Sequence, residues 1–336
     1  MALNELNGIL TTIGNTPLVR LDKIMPRLKA QVYAKIERFN PGGSIKDRPA
    51  ISMLLGKIQA GELKPAQSVV VESSSGNMAI GLAQVCRYFG LHFICVVDAK
   101  TTEQNIAILR AFQATVEVVE EPDPVTGEYL EVRLRRVREL VEKNPDVYWP
   151  DQYANPLNPR SHEETMREIA EALDGRVDHL LCTVSTTGTL RGCVDYVRKH
   201  GMTTRAVAVD AVGSVLFGAP IGRRLIPGHG ASVRPALFDP AMADEVVHVT
   251  DLDCVVGCRR LTLREAILAG GSSGAVVAAL EKLAPTIPDG SNCVLILADG
   301  GDRYLDTIYS DEWVNKHFGE VSHLWKDEPG PRVTTC

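Results

Sequence analysis

The chain has 336 residues, 45% of them hydrophobic, with a formal net charge of −6 and a pI near 5.8. This length exceeds what one hydrophobic core usually serves, so two domains of unequal size are expected. The acidic balance and the lack of a basic block argue against nucleic acid as a partner, no apolar run reaches the length of a membrane span, and the first ten residues lack the sections of a signal peptide, which makes the cytoplasm the default location.

In chain order, a turn-prone stretch leads into an expected helix over 46–60. A β-branched strand over 68–71 is followed by a loop of small residues and a helix over 77–88. A strand over 93–97, a helix over 102–111, a strand over 116–119 and a long helix over about 126–142 come next. Strand and helix alternating without hairpin signals imply parallel βα units with helices on both faces. In the last of these helices Arg133, Arg135, Arg136 and Arg138 read as a solvated face. The stretch 144–160 holds Pro145, Pro150, Pro156 and Pro159 and is the candidate domain crossing. Ser161 with Glu164 suggests a capping box for a helix to about residue 173. Strands are expected over 179–184, 206–210, 246–250 and 294–298, with helices between them. Residues 213–235, rich in glycine and proline, read as a long loop bordering a cleft. Cys86, Cys95, Cys182, Cys193 and Cys293 sit in apolar runs. Cys254 and Cys258 are one helical turn apart with no second pair to complete a zinc site, so all are read as structural thiols and no metal is expected.

Four segments could carry chemistry. Asn40-Pro41-Gly42-Gly43-Ser44-Ile45-Lys46 delivers a lysine to a helix start. A lysine there, against an apolar wall, can have a lowered pKa and attack an aldehyde, although an arbitrary lysine after a loop is a surface lysine. Glu72-Ser73-Ser74-Ser75-Gly76-Asn77 and Ser185-Thr186-Thr187-Gly188-Thr189 both lie between a strand and a helix. Hydroxyls and free N–H groups converging on a helix N-terminus bind carboxylate or phosphate; the bland alternative is a cap and a polar turn. The second is neither a Walker A loop nor a dinucleotide fingerprint. Gly270-Gly271-Ser272-Ser273-Gly274 opens an apolar helix, and Asp299-Gly300-Gly301-Asp302-Arg303-Tyr304 follows the last strand.

With Ile13-Gly14-Asn15-Thr16-Pro17-Leu18-Val19 ahead of them, these segments resemble, in order and from residue 13 to about 309, the fold-type II pyridoxal-phosphate (PLP) enzymes of the cysteine synthase and cystathionine β-synthase family. That resemblance implies an α/β, tryptophan synthase β-like fold. It would consist of two three-layer α/β/α domains with mostly parallel sheets, one formed by residues 46–150 and the other by 1–45 plus 151–336, with PLP in the cleft between them. It implies Lys46 as the Schiff-base lysine and Asn77 as the contact to the cofactor's 3′ oxygen. It makes Ser73, Ser74, Ser75, Gly76 and Asn77 the grip on the substrate carboxylate, and Ser185, Thr186, Thr187, Gly188 and Thr189 the phosphate loop. Ser272 would face the pyridine nitrogen, and 299–304 the cofactor's far side. A homodimer is the family's usual assembly. A neutral serine at the ring nitrogen favours prompt β-elimination to an aminoacrylate, to which a nucleophile adds.

The phosphate loop departs from the family's glycine-rich Gly-Thr-Gly-Gly-Thr, the carboxylate loop ends in Met78-Ala79 rather than Thr-Gly, and Tyr153 stands where phenylalanine is common. These departures resemble the subfamily of N-(2-amino-2-carboxyethyl)-L-glutamate synthases, which serves 2,3-diaminopropionate and siderophore biosynthesis. The implied substrates are O-phospho-L-serine and L-glutamate, both more anionic than O-acetylserine and sulfide. Arg133 is then a candidate anion ligand and Tyr153 and Ser185 are candidate substrate hydroxyls. A surface helix charge and a core aromatic are the plain alternatives for the first two. A cysteine synthase is the runner-up activity. A regulatory homologue without catalysis conflicts with the intact Lys46, Asn77 and Ser272.

Overall fold

The computed structural model describes residues 7–124, 127–144 and 146–326. The larger sheet has six strands in the order β1 (Leu18–Leu21), β2 (Gln31–Ile36), β10 (Asn292–Leu297), β7 (His179–Thr183), β8 (Arg205–Ala211) and β9 (Glu245–Val249). The smaller has four, β5 (Thr115–Val119), β4 (His92–Asp98), β3 (Val69–Ser73) and β6 (Val147–Tyr148). Every pairing is parallel except β1 with β2.

Helices cover both faces of each sheet. On the larger one, Leu181, Val207, Val209 and Leu295 face the core shared with α7 (Asp251–Glu265) and α8 (Gly271–Leu283). The alternate residues Leu180, Cys182, Ala208 and Val294 face α5 (Leu157–Ala172) and α6 (Gly188–Lys199). On the smaller one, Val70, Phe93 and Cys95 pack on α1 (Asp47–Gln59) and α2 (Asn77–Phe89), while Val71 and Val96 meet Val137 of α4 (Leu130–Lys143). Central strands buried on two faces read as continuous apolar runs. α3 (Glu103–Ala111) lies between β4 and β5, and α9 (Asp311–Phe318) follows β10.

The structure adds the antiparallel β1–β2 pair to the mostly parallel sheets expected and departs from the sequence reading at three places. The capping box at Ser161 and Glu164 does not form: α5 starts at Leu157, where the Asn155 side-chain oxygen accepts from the Leu157 N–H at 3.0 Å, and the Ser161 hydroxyl donates to the Asn158 carbonyl at 2.7 Å from inside the helix. Pro156 and Pro159, read as breakers, stand at the cap and in the first turn, where a missing N–H costs nothing. The helix expected from about 126 begins at Leu130; Thr126, Pro145, the first six residues and Cys336 lie outside the described residues. The stretch 213–235 carries neither helix nor strand, as expected, and the seven described cysteines are buried free thiols. No described helix is long and apolar enough to cross a membrane.

Candidate active site at the strand carboxyl ends

Lys46 caps α1, and the turn before it is pinned by the Ile45 N–H, which donates to the Ala298 carbonyl at 2.8 Å, just past β10. Behind it lies a buried ionic cluster. Arg48 pairs with Glu37 at 2.8 Å and Glu168 at 2.7 Å, and Lys35 reaches Glu168 at 2.6 Å. Thr16 of the N-terminal motif donates to Glu37 at 2.7 Å, and Glu168 accepts from the Asn15 N–H at 2.9 Å. Burial lowers the pKa of Lys46, against the opposing pull of Cys182, Asp299 and Glu37. That favours a neutral amine able to act as a nucleophile or base.

Lys46 lines a cavity with Cys182, Thr183, Ser185, Thr186, Thr187, Thr189 and Gly228. Thr187 sits at φ +67°, a region β-branched residues avoid, and its hydroxyl is buried without a partner. Ser272, in the first turn of α8, lies behind Gly228: a Cβ on that glycine would come 3.8 Å from the serine hydroxyl.

Asn77 opens α2 of the smaller sheet and joins the larger one. Its amide donates to Asp299 at 2.9 Å and its carbonyl oxygen accepts from Arg303, while the Tyr304 hydroxyl donates to Asp299 at 2.8 Å. Ser73 ends β3 with a buried, unpartnered hydroxyl; the Ser74 hydroxyl accepts from the Gly76 N–H at 3.4 Å, and the Ser75 carbonyl accepts from Asn105 at 3.0 Å.

Arg133 is 9% exposed, so it is no surface charge. It stands 3.3 Å from Asp98, and two of its guanidinium nitrogens have no hydrogen-bond partner. It lies close enough to Tyr153 to oppose the upward pKa shift that burial gives that phenol. The structure thus brings Lys46 and the hydroxyls of 185–189 into one cavity, seats Ser272 behind it and links Asn77 to the 299–304 segment. Neither Arg133 nor Tyr153 lines the Lys46 cavity.

Sequence reasoning missed Glu72. Its carboxyl is fully buried and accepts from the Ser73 N–H at 2.8 Å, the Trp149 indole at 3.1 Å and the Gln152 N–H at 3.2 Å. It fastens the serine loop to the segment carrying Tyr153, and burial raises its pKa to about 7. Its position ahead of a serine run gives no hint of this.

The model of the family described as pyridoxal-phosphate dependent enzyme matches residues 9–299. An N-(2-amino-2-carboxyethyl)-L-glutamate synthase of Ralstonia nicotianae is 48% identical over 308 residues, covering 91% of this chain and 90% of the relative. One from Cupriavidus metallidurans is 46% identical over 312 residues, 92% and 91% of the two chains. Among solved structures, O-ureido-L-serine synthase superposes with a TM-score of 0.84 at 33% identity, covering 91% of this chain and 98% of that one.

Proposed function

Because the chain belongs to the family of pyridoxal-phosphate-dependent enzymes, we propose that it replaces the phosphate of O-phospho-L-serine with the amino group of L-glutamate. The products are N-(2-amino-2-carboxyethyl)-L-glutamate and phosphate. The observation that carries this reading is Arg133, buried near Tyr153 with its Nε ion-paired to Asp98 and its Nη1 without a hydrogen-bond partner. A buried guanidinium that keeps a donor free beyond its ion pair with Asp98 suits an acceptor bearing a side-chain carboxylate better than it suits sulfide.

The residues lining the cavity suit the cofactor's chemistry. The partnerless Thr187 hydroxyl stands at the N-terminus of α6, where a phosphate is held by N–H groups, and a lysine with lowered pKa shares the space. Bound there, pyridoxal phosphate would supply the electron sink for cleavage at Cα and Cβ. Residues 185–189 would hold its phosphate, Asn77 its 3′ oxygen and Ser272 its ring nitrogen. The N-terminus of α2, with Ser73, Ser74, Ser75 and Gly76, would hold the α-carboxylate of the serine ester. Lys46, whose pKa burial lowers, would be the base that takes the Cα proton and returns it after the Cβ–O bond has broken and the Cβ–N bond has formed. Arg133, Tyr153 and Ser185 would orient glutamate. The division into residues 46–150 and 1–45 plus 151–336, a homodimeric assembly, a cytoplasmic setting and a supply of 2,3-diaminopropionate for a siderophore or related product belong to the same proposal.

The test is to incubate the protein with O-phosphoserine and either glutamate or sulfide, following phosphate release and product mass. We expect glutamate-dependent turnover, lost in Lys46→Ala. In Arg133→Ala the KM for glutamate should rise about 10- to 100-fold, the loss expected of one charge-assisted contact, with turnover of serine esters alone little changed. Turnover with sulfide but not glutamate would make the chain a cysteine synthase.

A further inference from the structure

α5 lies directly beneath the 185–189 loop. Its close approach depends on two glycines of α6: a Cβ at Gly188 would fall within the Asn158 carboxamide, and one at Gly192 would overlap the Pro159 carbonyl and crowd His162. Two α5 side chains meet the loop from behind. The Asn158 amide donates to the Gln152 carbonyl at 2.7 Å and to the Thr186 hydroxyl oxygen at 3.4 Å. His162 Nε2 is 3.3 Å from the Thr189 hydroxyl oxygen, and its Nδ1 is 3.3 Å from the hydroxyl of Thr165. Asn158, His162 and Thr165 are 2%, 0% and 0% exposed, so water does not compete for these contacts.

We propose that Asn158 and His162 are positioning residues that turn the Thr186 and Thr189 hydroxyls into donors toward a bound phosphate. The inference rests on the reading that this cavity holds a phosphate-bearing cofactor. A threonine hydroxyl has one proton, and a phosphate dianion offers only acceptors. If His162 accepted through Nε2, the Thr189 proton would be spent on the imidazole and none would face the phosphate. With the proton on Nε2, the imidazole donates to Thr189, the Thr189 proton is free to point into the cavity, and Nδ1 accepts from Thr165. Burial lowers the imidazole pKa well below its usual value and the Arg48 charge adds to the shift, so the neutral ring carries one N–H and the choice of tautomer is a real one. The Asn158 amide does for Thr186 what the imidazole does for Thr189. A Ser or Thr loop needs such backing, because a hydroxyl rotor must be set as a donor.

The test titrates the full-length, cofactor-stripped protein with pyridoxal phosphate and with pyridoxal, which lacks the phosphate, following visible absorbance. The wild type should prefer pyridoxal phosphate strongly. His162→Leu should weaken pyridoxal phosphate binding about tenfold and leave pyridoxal unchanged. His162→Gln, which can place an amide N–H near the Nε2 position, should recover most of the loss. Equal weakening of both ligands, or of neither, would reduce His162 to a packing residue. Should His162→Leu fail to fold, nitrogen-15 spectra of the wild-type holoprotein decide: a proton on Nε2 is expected, and one on Nδ1 overturns the proposal. A wild type that does not distinguish the two ligands would instead remove the phosphate reading of the cavity, and this inference with it.

Discussion

Thr187 concentrates the demands on the loop in one residue. Its left-handed backbone suits glycine, yet it carries a β-branched side chain whose hydroxyl is buried and unpaired. A non-glycine residue held in this region costs on the order of 1–3 kcal/mol, while glycine brings a chain-entropy cost of about 0.5–1 kcal/mol. Thr187→Gly should therefore stabilise the cofactor-free protein by about 1 kcal/mol and weaken cofactor binding, because a donor is lost. Urea unfolding of the stripped protein and a cofactor titration check the two halves. A variant that gains stability with unchanged affinity would deny Thr187 a role as ligand. The burial of Arg133 is hidden in the sequence for a different reason. α4 also carries Glu131, Arg135, Arg136, Arg138 and Glu139, so the sequence shows only a charged helix. Which arginine is buried depends on how the helix rolls onto β4 and on the approach of the Tyr153 segment, and neither is written locally.

Among the elements, α1 and α5 are held by charge as well as by apolar packing. Arg48 of α1 and Glu168 of α5 meet in the buried cluster with Lys35 of β2 and Glu37. Removing one member of such a cluster strands the others without solvent, which costs about 3–5 kcal/mol. Glu168→Ala should be destabilised by about that amount and should loosen the turn before Lys46; a shift below about 1 kcal/mol would place the cluster with ordinary surface pairs. The strands and helices from β3 to β5 were legible because each is a compact apolar or amphipathic run between small-residue turns. β1 and β2 were not. β1 is four residues long with two of them exposed, so it offers little periodicity, and its partner is fixed by pairing with β10, far along the chain. The start of α5 is not legible locally, because a proline that ends one helix is equally at home at the entrance of another. The candidate site was legible as an ordered set of polar helix starts. The groups behind them, Glu72, Asn158 and His162, were not, since a side chain that supports another one only has meaning once both are in space.

For the molecule as a whole, the buried carboxyls set an unusual response to pH. Burial raises the pKa of both Glu72 and Asp47 to about 7. Between their unfolded values near 4 and 7 they are protonated in the folded chain and ionised in the unfolded one. Stability from these groups therefore falls as pH rises through that window and levels off above it. Glu168 acts oppositely: despite desolvation, its bonds to Arg48 and Lys35 lower its pKa to about 2, so its contribution is complete above its unfolded value and is lost as pH falls toward 2. Glu72→Gln should flatten the decline in urea midpoint between pH 5 and pH 8. A slope identical to that of the wild type would mean that Glu72 is ionised throughout.

The strand order of the larger sheet also bears on how the protein is made. β10 fills the slot between β2 and β7, although it is the tenth strand in chain order. A chain emerging from the ribosome has β2 and β7 long before the strand that joins them, and each waits with an unpaired edge, a template for intermolecular pairing. The smaller sheet, drawn from residues 69–148, suffers no such delay. The larger sheet can therefore close only after nearly the whole chain is made, and a premature stop before Asn292 would leave the β2 and β7 edges open.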